Sequence, residues 1–187
     1  CLGPEGRLSV IMPAFNLAGS IARNIEVVQR LLDGHLPYEI VVVDDGSRDG
    51  TDRAVAEVSR RHDTVKLLSL PENVGKGAAL RRGFMASRGS HILLLDADLD
   101  LSPHLIGRFF EIMREENAAI VIGSKRHPDS EIDYPWRRRL ASAVYYGLVK
   151  LLIGLPVTDT QTGMKLFRRD ALQWAAERML VKRFAFD

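Results

Sequence analysis

The sequence has a single cysteine, Cys1, among its 187 residues, so no internal disulfide can form and stability does not depend on an oxidising compartment. No apolar stretch reaches the roughly 20 residues that crossing a bilayer requires. Net charge is also scarce: 26 Lys and Arg against 24 Asp and Glu leave +2, a balance that gives no bulk attraction to nucleic acid. The 5 histidines share no metal-ligand spacing, and neither an internal repeat nor a low-complexity tract is present. What remains, 46% hydrophobic and 27% charged, suits one globular domain with a real core. CLGPEGR reads as a cloning scar or trimmed linker over residues 1–7, leaving 8–187 as the domain, with a natural chain expected to run on past Asp187.

Apolar, β-branched runs alternate with helical patterns. LSVIMP precedes an amphipathic stretch from Ala18 to Leu32, EIVVVDD precedes Thr51 to Arg61, VKLLSL precedes Lys76 to Ser87, HILLLDAD precedes Pro103 to Glu116, and AIVIGS follows. The rhythm predicts an α/β fold, a mostly parallel sheet flanked by helices on both faces. Ligands of such sheets bind at the carboxyl ends of the strands. The loops PAFN, DDGSRDG, PENVGKG and DADLD are therefore expected to converge on one site.

Asp96, Asp98 and Asp100 leave a buried strand as three like charges that repel unless a cation sits among them. Carboxylates suit Mg²⁺ or Mn²⁺, which keep one or two protein ligands plus water and substrate phosphate; Asp100 with Ser102 and Pro103 also reads as a helix start. Asp44 and Asp45 end a strand where a carboxylate can accept from a base or ribose hydroxyl, while Asp49 is placed to cap the next helix. NVGKGAAL sets Asn73, Lys76 and Gly77 at a helix start whose amides favour anions, without Walker spacing. Basic residues gather later, from Lys125 through Arg137, Arg138 and Arg139 to Arg168 and Arg169. Residues 137–157 suit either a buried helix or an interfacial one lying on a membrane, with Tyr145 and Tyr146 at headgroup depth.

VIMPAFN, VVDDGSRDGT, NVGKGAA, LDADLD, GSKR and DTQTGMKLFRRD, taken in order over Leu8 to Asp187, resemble the family 2 glycosyltransferases of the GT-A fold. Within these the resemblance is to polyprenol-phosphate sugar synthases of the dolichol-phosphate mannose or glucose type. It implies a UDP- or GDP-linked hexose donor held by Pro13, Ala14, Phe15 and Asn16, by Asp44, Asp45, Gly46 and Ser47, by Asn73, Lys76 and Gly77, and by Asp96, Ala97 and Asp98. It implies Asp98 as principal metal ligand, with Asp96 and Asp100 beside it. Relatives often carry glutamine where this chain has Asp100 and an acid where it has Leu17.

The same resemblance implies a polyprenyl phosphate acceptor at a membrane surface, on the cytoplasmic face, reached peripherally or through segments outside this chain. Such a phosphate is already an anionic nucleophile and needs cations to place it more than a strong base. Lys125 and one of Arg137, Arg138 and Arg139 match the acceptor-phosphate region. Asp159 and Gln161 match the segment closing over donor sugar and acceptor, and Lys165 reads either as part of it or as a surface residue on a strand. Other readings share parts of the pattern: a transferase acting on a glycan acceptor, which would need a carboxylate base; a nucleotidyltransferase, whose first loop is usually glycine-rich; and a receiver-like domain, which gathers acids and a lysine without acting on sugars.

Overall fold

The computed structural model describes residues 6–123 and 163–178, with side chains up to Gln173. The described residues up to Ile122 and from Gly163 onward belong to one compact unit. Its strands are β1 (Leu8–Ala14), β2 (Tyr38–Asp44), β3 (Val65–Ser69), β4 (His91–Leu95), β5 (Ile120–Ile122) and β6 (Met164–Arg168). Its helices are α1 (Ile21–Leu32), α2 (Thr51–Arg61), α3 (Lys76–Ala86), α4 (Ile106–Glu115) and α5 (Arg169–Arg178), with a 3₁₀ turn at Pro103–Leu105 before α4.

The sheet order is β3-β2-β1-β4-β6-β5. β1 to β4 pair in parallel, as the sequence rhythm requires, and β2 is buried at every position because helices cover both of its faces. β6 departs from the expected pattern. It inserts between β4 and β5 and pairs antiparallel with both, Met164 facing Leu95 and Lys165 facing Leu94 and Ile122.

Two apolar layers hold the sheet. On one side Ile21, Ile25, Val28 and Leu32 of α1, at helical spacing, join Val55 and Val58 of α2 and Phe109 and Met113 of α4 against Val10, Met12, Val42 and Leu93. On the other, Ala79, Leu80 and Phe84 of α3 and Leu172 of α5 cover Ile11, Val41, Val43 and Leu94. Each fully buried aliphatic side chain contributes about 1.5–3 kcal/mol.

α1 begins at Ile21 rather than Ala18. The amides of Leu17 and Ala18 are drawn into side-chain hydrogen bonds with Thr51 and Asp49, so residues 17–20 turn instead of winding into the helix.

At the amino ends of the strands a polar knot ties β6 and α5 to the core. Glu39 is buried and accepts from Ser9 Oγ at 2.7 Å, Lys66 Nζ at 2.7 Å and the Arg88 amide at 2.6 Å. Arg169, at the start of α5, donates to Ser87 Oγ at 2.8 Å and to the Gly89 carbonyl, and stacks over the Phe84 ring.

Candidate active site

The opposite, carboxyl edge of the sheet gathers the loops after β1, β2, β3 and β4. The first two are laced together. Asn16, in the left-handed region at φ 54°, donates its amide to Ser47 Oγ at 2.9 Å and accepts the Arg48 amide on Oδ1 at 3.2 Å. Thr51 Oγ1 accepts the Leu17 amide at 2.8 Å while donating to Asp49 Oδ1 at 2.6 Å, and Asp49 Oδ2 accepts the Ala18 amide at 2.9 Å. Those bonds from Thr51 and Ala18 hold the Asp49 carboxyl below its ordinary value. The N-cap of α2 is Gly50 and not Asp49, which stands one residue earlier, accepts the Thr51 amide at the start of the helix and also fastens the neighbouring loop. Leu17, which stands where an acid is common in the resemblance, packs against the α1-side core. Pro13 and Ala14 end β1 beneath this lacing, and Phe15 projects from it with 48% of its surface exposed.

Asp44 and Asp45 are both buried. Asp44 accepts the Ser47 amide, whereas Asp45 spends both oxygens on the third loop, accepting Val74 N at 2.8 Å and Gly75 N at 2.9 Å. Gly46 follows at φ 70°, where a side chain would strike the backbone of Glu72 and Asn73. The second and third loops thus meet backbone to backbone. Asn73 is exposed on that rim, Gly77 is buried in the first turn of α3, and Lys76 opens the helix with its ammonium 2.8 Å from Asp96 Oδ1 and 3.1 Å from Oδ2.

The acid loop is held from below. The Asp96 amide donates to the Gly163 carbonyl at 2.8 Å, the Leu99 amide closes a turn onto Asp96 O at 3.0 Å, and Asn24 of α1 donates to the carbonyl of buried Ala97 at 2.8 Å. Leu99 takes a left-handed φ of 56°, a conformation leucine tolerates here while its side chain packs on the core. The turn leaves Asp98 and Asp100 exposed, with the Asp100 amide donating to Asp98 Oδ1 at 3.2 Å. Gly163 abuts Asp96 so closely that a Cβ there would lie 2.7 Å from Oδ2.

The donor set is all hard oxygen, which fits Mg²⁺ or Mn²⁺. Among the described residues no three acidic, histidine or cysteine side chains converge into a protein-only cage.

Lys165 is not a surface residue. It lies on β6 with its side chain buried, one position in from the site end of the sheet. Lys125, Arg137, Arg138, Arg139, Asp159 and Gln161, with the 137–157 segment, lie outside the described residues. Among the described residues no helix is long and apolar enough to cross a membrane. Sequence reasoning missed Asn24, an unremarkable polar residue on an amphipathic helix, and Gly163, whose one available signal was a glycine placed directly before a strand.

Residues 9–174 match the family described as Glycosyl transferase family 2. A dolichyl-phosphate beta-glucosyltransferase of Trichomonas vaginalis is 33% identical over 196 residues, covering 98% of this chain and 60% of the relative, so the chain spans less than two thirds of that protein. Glucosyl-3-phosphoglycerate synthase from Mycobacterium tuberculosis, solved with Mn²⁺, UDP-glucose and phosphoglyceric acid, superposes with a TM-score of 0.68 at 22% identity over 89% of this chain and 58% of its own. A mannosyltransferase from Pyrobaculum calidifontis, solved with GDP-mannose and Mn²⁺, gives 0.64 at 22% identity over 90% of this chain and 46% of its own. The fold is theirs, as the sheet and its flanking helices led one to expect.

Proposed function

The chain belongs to glycosyl transferase family 2, and on that premise we propose that it is the catalytic domain of a metal-dependent inverting hexosyltransferase, which moves a sugar from a UDP- or GDP-linked donor to a membrane polyprenyl phosphate. The observation that carries this reading is the convergence of Phe15, Asp44, Lys76, Asp96 and Asp98 on one edge of the sheet, in a chain one third identical to a dolichyl-phosphate glucosyltransferase over nearly its whole length.

In this reading Phe15 stacks on the base and Asp44 and Asp96 accept from base or ribose. The first turn of α3 and Lys76 face the diphosphate, where amides and ammonium both favour an anion. Asp98 holds the divalent cation, with Asp96 and Asp100 beside it, and Mg²⁺ and Mn²⁺ are equally suited. Such a cation would supply positive charge against the diphosphate as it leaves the anomeric carbon. The acceptor phosphate attacks that carbon from the opposite side, so the anomeric configuration inverts. Lys125 and the Arg137–Arg139 cluster are assigned to that phosphate, Asp159 and Gln161 to the donor sugar or the acceptor, and residues 137–157 to the bilayer surface at the cytoplasmic face.

The test is calorimetric titration of UDP-glucose and GDP-mannose with Mn²⁺ on the wild type and on Asp98→Ala, followed by transfer of labelled hexose to polyprenyl phosphate in vesicles. Metal-dependent binding of one donor, lost in the variant, together with label in the lipid, is the expected result. A folded protein that binds neither donor overturns it.

A further inference from the structure

Asp96 already has a cation. Lys76 Nζ lies within hydrogen-bond reach of both its oxygens, at 2.8 and 3.1 Å, and Asp96 is held in that position by the hydrogen bond its amide donates to the Gly163 carbonyl and by the space that the missing side chain of Gly163 leaves. Both partners are partly open to solvent, with side-chain exposures of 37% for Lys76 and 29% for Asp96. An ion pair so exposed contributes little to stability and is cheap to break. Its placement at the mouth of the acid loop therefore needs another account than holding the fold.

We propose that Lys76 is a built-in counter-ion that makes cation binding conditional on nucleotide. The inference rests on the reading of Asp96 and Asp98 as a metal–nucleotide site. Without nucleotide, a divalent cation approaching Asp96 meets an ammonium a few ångströms away, and like charges at that range oppose each other even at the dielectric of a protein surface. With a diphosphate present the sign reverses. The ammonium is a compact charge on a flexible four-carbon stem, so it can leave Asp96 for a phosphate oxygen while α3 stays in place. The same lysine then favours the loaded state it opposed before. Cation and nucleotide arrive as a coupled pair, and the acid loop remains neutralised between turnovers instead of collecting stray divalent ions.

The experiment is Mn²⁺ titration followed by the paramagnetic resonance signal of free Mn²⁺, with and without UDP, on the wild type, Lys76→Met, Lys76→Arg and Asp98→Ala, each checked for folding by circular dichroism. In Lys76→Met the affinity for Mn²⁺ alone is expected to rise on the order of tenfold, and the enhancement that UDP gives in the wild type to shrink. Lys76→Arg keeps the charge and should stay close to the wild type; Lys76→Gln replaces Lys76→Met if that variant does not fold. Unchanged Mn²⁺ affinity in the neutral variants, while Asp98→Ala loses it, overturns the inference and leaves the site reading standing. Mn²⁺ binding that survives Asp98→Ala, or that is absent from the wild type with and without UDP, overturns the site reading and the inference with it.

Discussion

Gly163 and Asp96 are interdependent: the Gly163 carbonyl receives the Asp96 amide at 2.8 Å, and the missing Cβ leaves the space in which the Asp96 carboxylate sits. Gly163→Ala puts a methyl 2.7 Å from Oδ2, too close to tolerate without movement. The expected outcome is a displaced carboxylate, a fall of tenfold or more in affinity for UDP with Mn²⁺ by calorimetry, and a stability loss of about 1–3 kcal/mol from overpacking.

Asn24 supports the same loop from the side of α1, through its hydrogen bond to Ala97 O. Asn24→Ala should lower unfolding free energy in urea by roughly 1 kcal/mol, the net worth of such a bond. Nucleotide affinity should weaken as well, although the residue faces the backbone of the loop and not its acids.

Asp45 holds the third loop by two amides, and its two simplest replacements separate them. Asp45→Ala frees both, so hydrogen exchange at Val74 and Gly75 should accelerate together. Asp45→Asn retains one acceptor oxygen and should keep one of the two amides protected.

Phe15 is a large apolar side chain left exposed at the site. Phe15→Ala should leave the melting temperature almost unchanged while costing nucleotide binding roughly 1–3 kcal/mol, the range for stacking of a base on an aromatic ring. Equal affinities in the two proteins would remove Phe15 from the donor pocket.

Glu39 should make stability sensitive to acid. Burial by itself raises the Glu39 carboxyl, but hydrogen bonds from Lys66, Ser9 and the Arg88 amide outweigh it and hold the folded value below that of an ordinary glutamate. A carboxyl depressed in the folded state stabilises above its unfolded pKa, and that contribution disappears as pH falls through the folded one. Glu39→Gln should therefore flatten the loss of melting temperature on acidification. Donor affinity at neutral pH should be unaffected, since Glu39 lies at the far end of the strands.

The parallel half of the fold was legible because its signals are local. Runs such as EIVVVD end in turn residues and feed amphipathic helices, and α2 spans Thr51–Arg61 as its pattern required. The convergence of four loops followed from strand direction alone. β6 was harder to read, since MKLFR buries a lysine and pairs with strands made long before it, so neither periodicity nor neighbouring sequence reveals its direction or its place between β4 and β5. In the site, the acids and Lys76 announced themselves by type and spacing. What fastens them did not: Asn24, Thr51 and the carbonyl of Gly163 act through backbone atoms of distant residues, a contact that leaves no compositional trace.

The late arrival of β6 also sets a timetable for biosynthesis. A nascent chain that has emerged from the ribosome only as far as β5 presents the outer edge of β4, an apolar HILLL strand, with no partner. Bare edges of that kind invite pairing with other chains. The acid loop meanwhile lacks the carbonyl that seats Asp96. Translation must deliver Gly163 and Met164 before the sheet is sealed, so a product that stops at β5 would bare the β4 edge and leave Asp96 unseated together.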